Sequence, residues 1–175
     1  LKDYPAALQD FERALAIDLK HAAAVAGRSE ALAGIGDLEG ALRDCVQMHI
    51  LDPTSAFYYR SCAGVRSRAG DVEGALADYS RAVELDPKNA AGYHYRGVVK
   101  SDAHDFAGAM ADWRQSVSLD ATQDYVYLRL WLVDARVGDR AKATGELRAA
   151  IARRKSEKAG EWVMKLADYL AGAVT

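Results

Sequence analysis

The chain has 175 residues, of which 50% are apolar and 27% are charged, a balance that is typical of a folded domain rather than a disordered one. Its 23 basic and 25 acidic side chains give a formal charge of -2, so no basic excess favours nucleic acid as a partner. The longest strongly apolar stretch, 125–133, contains Arg129 and is well short of the roughly 20 residues that span a bilayer. We therefore expect no transmembrane segment.

One pattern recurs every 34 residues: an aspartate, followed four residues later by an alanine. The aspartates are Asp3, Asp37, Asp71, Asp105 and Asp139, and the alanines are Ala7, Ala41, Ala75, Ala109 and Ala143. A fixed period of this length indicates a repeat protein, in which one supersecondary unit stacks on the next. We therefore expect function to lie in an extended surface rather than in a catalytic pocket.

Each repeat contains two predicted helices. Apolar residues four and eight positions after the aspartate fall on one face of a helix, which the aspartate can cap and which Pro53 or Pro87 follows. A second set of predicted helices lies between those prolines and the next turn, at 22–34, 56–68, 90–102 and 124–136. Two short helices joined by a glycine turn predict antiparallel hairpins that stack in register.

The period predicts one continuous domain with six segments. They are the second helix of a truncated repeat at 1–21, full repeats at 22–55, 56–89 and 90–123, a divergent repeat at 124–159, and a capping helix at 160–175. The divergent repeat is marked by Trp131, which stands where the other repeats have a small residue against the alanine column. We expect this hairpin to open or repack, because an indole cannot fit where a methyl group did.

In length and pattern the chain resembles the tetratricopeptide repeat (TPR) family. The matching residues are Tyr93, Gly97, Ala109 and Trp113 in one unit, and Tyr59, Ala63, Ala75, Tyr79 and Pro87 in another. The resemblance implies an all-α fold, a right-handed α-solenoid of helix hairpins closed by a capping helix. It also implies a non-catalytic scaffold that binds a protein or peptide segment in its concave groove.

In that family the first helices of successive repeats line the groove, and the resemblance assigns its positions in this chain. They are Phe57, Arg60, Ser61 and Gly64, then Ala91, His94, Tyr95 and Val98, then Tyr125, Leu128, Arg129 and Leu132. Aromatic side chains suit an extended peptide, and an arginine could hold a carboxylate through two hydrogen bonds. The alternative for Arg60 and Arg129 is that they are solvated arginines on a helix face.

A narrower TPR function is not predicted. Some TPR adaptors clamp a C-terminal carboxylate with lysine and asparagine at the fifth and ninth positions of one first helix. This chain has Arg60 and Gly64 there in one repeat, and His94 and Val98 in the next. We therefore do not expect an adaptor for chaperone tails.

Other chemistry finds little support in the sequence. The histidines His21, His49, His94 and His104 fall in different columns without metal-ligand spacing, and no nucleophile elbow or phosphate-binding loop occurs. Cys45 and Cys62 lack a zinc or disulfide spacing and read as small core residues. We expect no catalysis, no cofactor and no metal. His104 occupies a turn position that is glycine in other repeats, and histidine tolerates positive φ there.

Three further possibilities stay open. The protein could self-assemble through apolar surface near Leu128 and Leu132 or through the half-repeat, or it could be the targeting arm of a larger enzyme. The pattern Leu130-Trp131-Leu132, followed by Trp162 and by Tyr169-Leu170-Ala171-Gly172, is also similar to a bacterial TPR lipoprotein that scaffolds cell-wall hydrolases. The cysteine content fits the cytoplasm or a bacterial periplasm and envelope equally.

Overall fold

A computed structural model describes residues 3–137, 140–152 and 165 of the chain. Within those ranges it contains nine α-helices and no strand, as the repeat pattern predicts. The helices are α1 Tyr4–Ile17, α2 Ala22–Ile35, α3 Leu38–Leu51, α4 Ala56–Arg68, α5 Val72–Leu85, α6 Ala90–Asp102, α7 Phe106–Leu119, α8 Asp124–Val137 and α9 Arg140–Ala152. The predicted capping helix at 160–175 lies outside the described residues apart from position 165.

Four of the recurring aspartates, Asp3, Asp37, Asp71 and Asp105, cap the helices that follow them, α1, α3, α5 and α7. The carboxylate of Asp37 accepts a hydrogen bond from the backbone N–H of Gly40 at 2.8 Å, and Asp71 does the same for Gly74 at 2.9 Å. This satisfies a backbone donor that has no partner inside the helix. A Cβ on Gly40 would lie 2.5 Å from the Asp37 carboxylate oxygen, whereas α1 makes the same cap with Ala6 at the equivalent position.

The turns between the two helices of a hairpin adopt a left-handed backbone conformation. Gly36 has φ 93° and Gly70 has φ 80°, while His104 takes the equivalent position with φ 66°. The expectation that His104 is a turn residue is therefore confirmed. Left-handed backbone is costly for residues with a Cβ, although histidine tolerates it better than most.

By contacts the chain divides into two compact units, Leu1–Pro87 and Lys88–Thr175. In the first unit, α1 to α5 pack consecutively around a core that includes Val25, Cys45, Met48 and Cys62, all of them fully or almost fully buried. In the second unit, α6 packs on α7, α7 on α8 and α8 on α9. Its core contains Trp113 and Val126, which are both 1% exposed.

Trp131 lies in the core of the α8/α9 hairpin. The indole is buried against Ala143 and Leu147, and its Nε1 donates a hydrogen bond to Thr144 Oγ1 at 3.0 Å. A cavity of about 370 Å³ lies beside this packing and is lined by residues of α7, α8 and α9. The hairpin therefore accommodates the indole, as its size requires, and satisfies its N–H through a neighbouring hydroxyl.

A buried ion pair recurs between the two helices of a hairpin, and the sequence reading did not anticipate it. Arg28 donates two hydrogen bonds to Asp44, at 2.9 and 2.6 Å, and Arg96 donates two to Asp112, at 2.8 and 2.6 Å. The signal was present in the sequence, because both pairs are 16 residues apart and recur after two periods. Two parallel hydrogen bonds between one arginine and one carboxylate constrain how the two helices of the hairpin face each other.

Candidate functional site

The predicted groove positions of the first unit lie on one helix, α4. Phe57 is 52% exposed, and the guanidinium carbon of Arg60 lies 5.6 Å from the centre of its ring. Ser61 and Gly64 are half-buried on the same helix. The cation–π contact explains the position of Arg60 without a ligand, so α4 presents an exposed aromatic surface with one arginine held across it.

In the second unit, the predicted positions on α6 and α8 come together around a cleft of about 450 Å³. The cleft is lined by Ala91, His94 and Tyr95 of α6, by Tyr125 and Val126 of α8, and by Thr122 and Gln123 of the preceding turn. Tyr95 is 48% exposed and Tyr125 is 68% exposed. Two tyrosines that stand largely in solvent at a concave surface are typical of a site that binds another molecule.

His94 forms the wall of this cleft as a neutral side chain. Its ring stacks on Tyr95 with ring centres 4.9 Å apart. Burial lowers the pKa of His94 below its ordinary value of 6.5, and the nearby Arg129 lowers it further. Burial excludes the charged imidazolium from a less polar environment, and Arg129 repels it. At neutral pH the cleft lining therefore carries no formal charge.

Two lining residues, Thr122 and Gln123, were missed at the sequence level. They lie in the turn before α8, and Gln123 stands one period after Asn89, the residue that caps α6. Gln123 is anchored there, because its Oε1 accepts a hydrogen bond from Ser116 Oγ at 3.0 Å and its Nε2 donates one to Asp120 at 3.3 Å. Aligning the repeats could have identified position 123, since the residues just before each first helix border the same surface as that helix.

The other predicted positions on α8 have different surroundings. Arg129 lies against the buried Trp113, with its guanidinium carbon 5.8 Å from the ring centre. Leu128 is half-buried and packs on the cluster around Trp131, so core packing accounts for it. Leu132 is 50% exposed, and Val98 on α6 packs partly against the core. The arginine fork that was expected to hold a carboxylate is thus not among the residues that line the cleft.

The part of the chain that the structure describes contains no group of three or more histidine, cysteine or acidic side chains that could hold a metal ion. None of its helices is long and apolar enough to cross a membrane.

Residues 68–101 match a family model described as TPR repeat, and four helix hairpins, α2/α3, α4/α5, α6/α7 and α8/α9, recur in the described structure with that period. The matched segment and the fold are those of tetratricopeptide repeat proteins. No curated protein sequence matches it.

Several solved structures resemble this TPR chain. MamA is 19% identical over 86% of this chain and 88% of its own, with a TM-score of 0.77. TTC0263, a thermophilic TPR protein in Thermus thermophilus, is 21% identical over 98% and 91%, with a TM-score of 0.70. YrrB, described as a TPR protein with an unusual peptide-binding site, is 16% identical over 92% and 82%, with a TM-score of 0.69.

At these identities the likeness shows the fold, which is the all-α solenoid fold of TPR proteins. The handedness of the superhelix stays a prediction. The narrower resemblance to a bacterial lipoprotein also stays a prediction, and Trp162 and Tyr169, on which it partly rests, lie outside the described residues.

Proposed function

We propose that this TPR protein is a non-catalytic scaffold that binds an extended protein segment on the surfaces of its first helices. The observation that carries the proposal is the cleft between α6 and the start of α8, where Tyr95 and Tyr125 stand exposed beside His94. TPR folds serve widely as interaction modules, and the description of YrrB includes a peptide-binding site. In the first unit, Phe57 on α4 is a separate exposed aromatic side chain.

The chemistry of the cleft selects the kind of segment. Its lining has no charged side chain while His94 is neutral, and its polar groups are the tyrosine hydroxyls, the Thr122 hydroxyl and the Gln123 amide. Such a lining favours a segment that places an apolar or aromatic side chain between the tyrosines and offers backbone amides to the polar groups. A terminal carboxylate has no cationic partner among the residues that line the cleft.

The test uses a displayed library of random peptides, selected against the protein, followed by titration of the best synthetic peptide. We expect the Tyr95→Ala, Tyr125→Ala double variant to bind that peptide at least about tenfold more weakly, because exposed tyrosines that a ligand covers contribute strongly to binding. Val72→Ala is the matched control, since Val72 is an exposed apolar residue at the start of α5. The proposal fails if the double variant and the control bind equally, provided that circular dichroism shows both folded.

A second candidate function, self-association, is favoured by a different surface in the first unit. Ile17 is 90% exposed, Leu19 is 74% exposed, and Val46 and Ile50 are 56% and 76% exposed. A hydrogen bond from Gln47 Nε2 to the backbone oxygen of Leu19, at 2.9 Å, brings the turn after α1 next to α3. Contiguous apolar surface of this kind often marks an interface.

We expect a concentration-dependent rise of mass in sedimentation, which an Ile50→Lys variant abolishes. A monomer at all concentrations excludes self-association and leaves the peptide-binding proposal unaffected.

A further inference from the structure

Two buried cysteines from different hairpins meet in the core of the first unit. Cys45 of α3 is 1% exposed and Cys62 of α4 is 0% exposed, and both are free thiols in one core cluster. Both lie in the core cluster where α3 packs on α4, and each thiol is the main influence on the pKa of the other. They are also the two cysteines of the whole sequence, so the pair is unambiguous.

Both cysteines differ from the residues that other repeats have at the equivalent positions. The two positions come from neighbouring repeats and lie in the same part of the core. Cys45 stands where the following repeats have Tyr79 and Trp113. Cys62 stands where the flanking repeats have Arg28 and Arg96, which pair with buried aspartates. In the middle repeat the equivalent aspartate, Asp78, instead forms an ion pair with Arg66 from one helical turn later, at 2.9 Å. The thiols therefore occupy a position at which the fold elsewhere places much larger side chains.

The surroundings make the two thiols chemically unequal. The interaction between the two thiols lowers the pKa of Cys45 and raises that of Cys62. The side chain of Ser29 lies 4.0 Å from the Cys45 sulfur and lowers the pKa of Cys45 as well. The thiolate is the form that attacks an oxidant. We assign Cys45 as the attacking thiol and Cys62 as the resolving one, because the Ser29 hydroxyl lies beside the Cys45 sulfur.

We propose that Cys45 and Cys62 are a redox pair that closes to an intramolecular disulfide in the presence of a peroxide, joining α3 to α4. The Cys45 thiolate attacks one oxygen of hydrogen peroxide, the O–O bond breaks, and a sulfenic acid and hydroxide form. The sulfur of Cys62 then attacks the Cys45 sulfur, the S–O bond breaks, and the S–H proton of Cys62 leaves with the departing oxygen as water. In total two thiols are oxidised and one peroxide is reduced to two waters.

Access comes from local opening of the packed helices, because both sulfurs are shielded in the closed structure. The disulfide restrains the unfolded chain between positions 45 and 62 and covalently connects two successive hairpins. It requires no peptide ligand, so this inference stands independently of the proposed function.

The test treats the native protein with hydrogen peroxide, unfolds it, labels remaining thiols with N-ethylmaleimide and measures the intact mass. We expect a monomer that has lost two hydrogen atoms and takes no label, and that takes two labels after reduction with dithiothreitol. Proteolysis should release the Cys45 peptide joined to the Cys62 peptide. The oxidised protein should unfold at a temperature higher by about 5 °C or more, and reduction should reverse the shift.

The Cys62→Ala variant is the matched control, and it should yield no monomeric disulfide. Since that substitution could disturb the core, peptide mapping of the unmodified sequence decides independently. The proposal is overturned if both thiols still take label after a treatment that oxidises the urea-unfolded chain. It is also overturned if the two thiols are consumed only by oxidation to sulfinic acids or by disulfide bonds between two molecules.

Discussion

Replacing Gly97 with alanine tests the packing that positions the wall of the proposed cleft. Gly97 lies in α6, three residues after His94, and the indole of Trp113 packs directly against its backbone. A Cβ at position 97 would lie 2.6 Å from Nε1 and 2.7 Å from Cδ1 of Trp113, and 3.1 Å from the backbone oxygen of Ala109. Ordinary contacts of a Cβ begin near 3.4 Å, so the indole or the helix must move.

The expected change in the free energy of unfolding for Gly97→Ala is the sum of opposing effects. Alanine is the better helix former in a helix interior, which contributes up to about 1 kcal/mol in favour of the variant. Overpacking of a well-filled core costs about 1–3 kcal/mol. Moving Trp113 also weakens the hydrogen bond from its Nε1 to the backbone oxygen of His94, now 3.2 Å, which contributes about 1 kcal/mol. We expect Gly97→Ala to lower the free energy of unfolding by about 1–3 kcal/mol.

The assay is urea unfolding followed by tryptophan fluorescence, which reports the second unit because its three tryptophans are Trp113, Trp131 and Trp162. Gly145→Ala in α9 is the control, since a Cβ there meets nothing within 4 Å. That variant should be as stable as the parent or up to about 1 kcal/mol more stable. An equally large gain for Gly97→Ala would refute the reasoning, because the close approach of Trp113 would then carry no energetic cost.

Three other predictions concern stability and pH. Asp112→Ala should lower the free energy of unfolding by about 2–4 kcal/mol in a denaturant titration, because Arg96 and Lys100 lose a carboxylate that is 4% exposed; no loss would contradict the structural role of the ion pair. His104→Gly should raise the thermal midpoint and gain up to about 1 kcal/mol, since φ is 66° there; a lower midpoint would show that the histidine side chain stabilises the turn. His94 titrates below its ordinary pKa of 6.5 in the folded protein, so the unfolded chain takes up its proton first and stability should fall as the pH drops below 6.5. The slope should be smaller for His94→Gln, and an unchanged slope would exclude His94 as the source.

The helices could be predicted closely because local signals agreed with the period. Aspartate caps, left-handed glycine turns and prolines after the second helix each mark a boundary, and they recur at intervals of 34 residues. The expected first helix at 56–68 coincides with α4, Ala56–Arg68. The turn at position 104 was predicted correctly even though histidine replaces the glycine of other repeats. The position within the repeat, rather than the residue type, identified the turn.

The candidate site was only partly predictable. The resemblance to the TPR family assigned Ala91, His94, Tyr95 and Tyr125 to one groove, and the structure places them around one cleft. Spacing cannot show that the Arg129 guanidinium lies against the buried Trp113, because that contact depends on the rotamers of two residues in different helices.

The contact between Cys45 and Cys62 was missed for a different physical reason. Each cysteine was interpreted by itself as a small core residue, although other repeats have larger side chains at the equivalent positions. The contact forms between successive hairpins. Aligning the repeats compares equivalent positions, and it does not show which residues of neighbouring repeats are in contact.

The most direct test of the binding account is site-specific photocrosslinking. A benzophenone amino acid is placed at position 95 in one variant and at position 81 in another, where Arg81 is exposed on the second helix α5. Each variant is irradiated with the peptide selected from the displayed library. The account predicts a crosslinked product from position 95 that excess unlabelled peptide suppresses, and no product from position 81. Crosslinking at position 81 but not at 95 would contradict it and place the binding surface on the second helices.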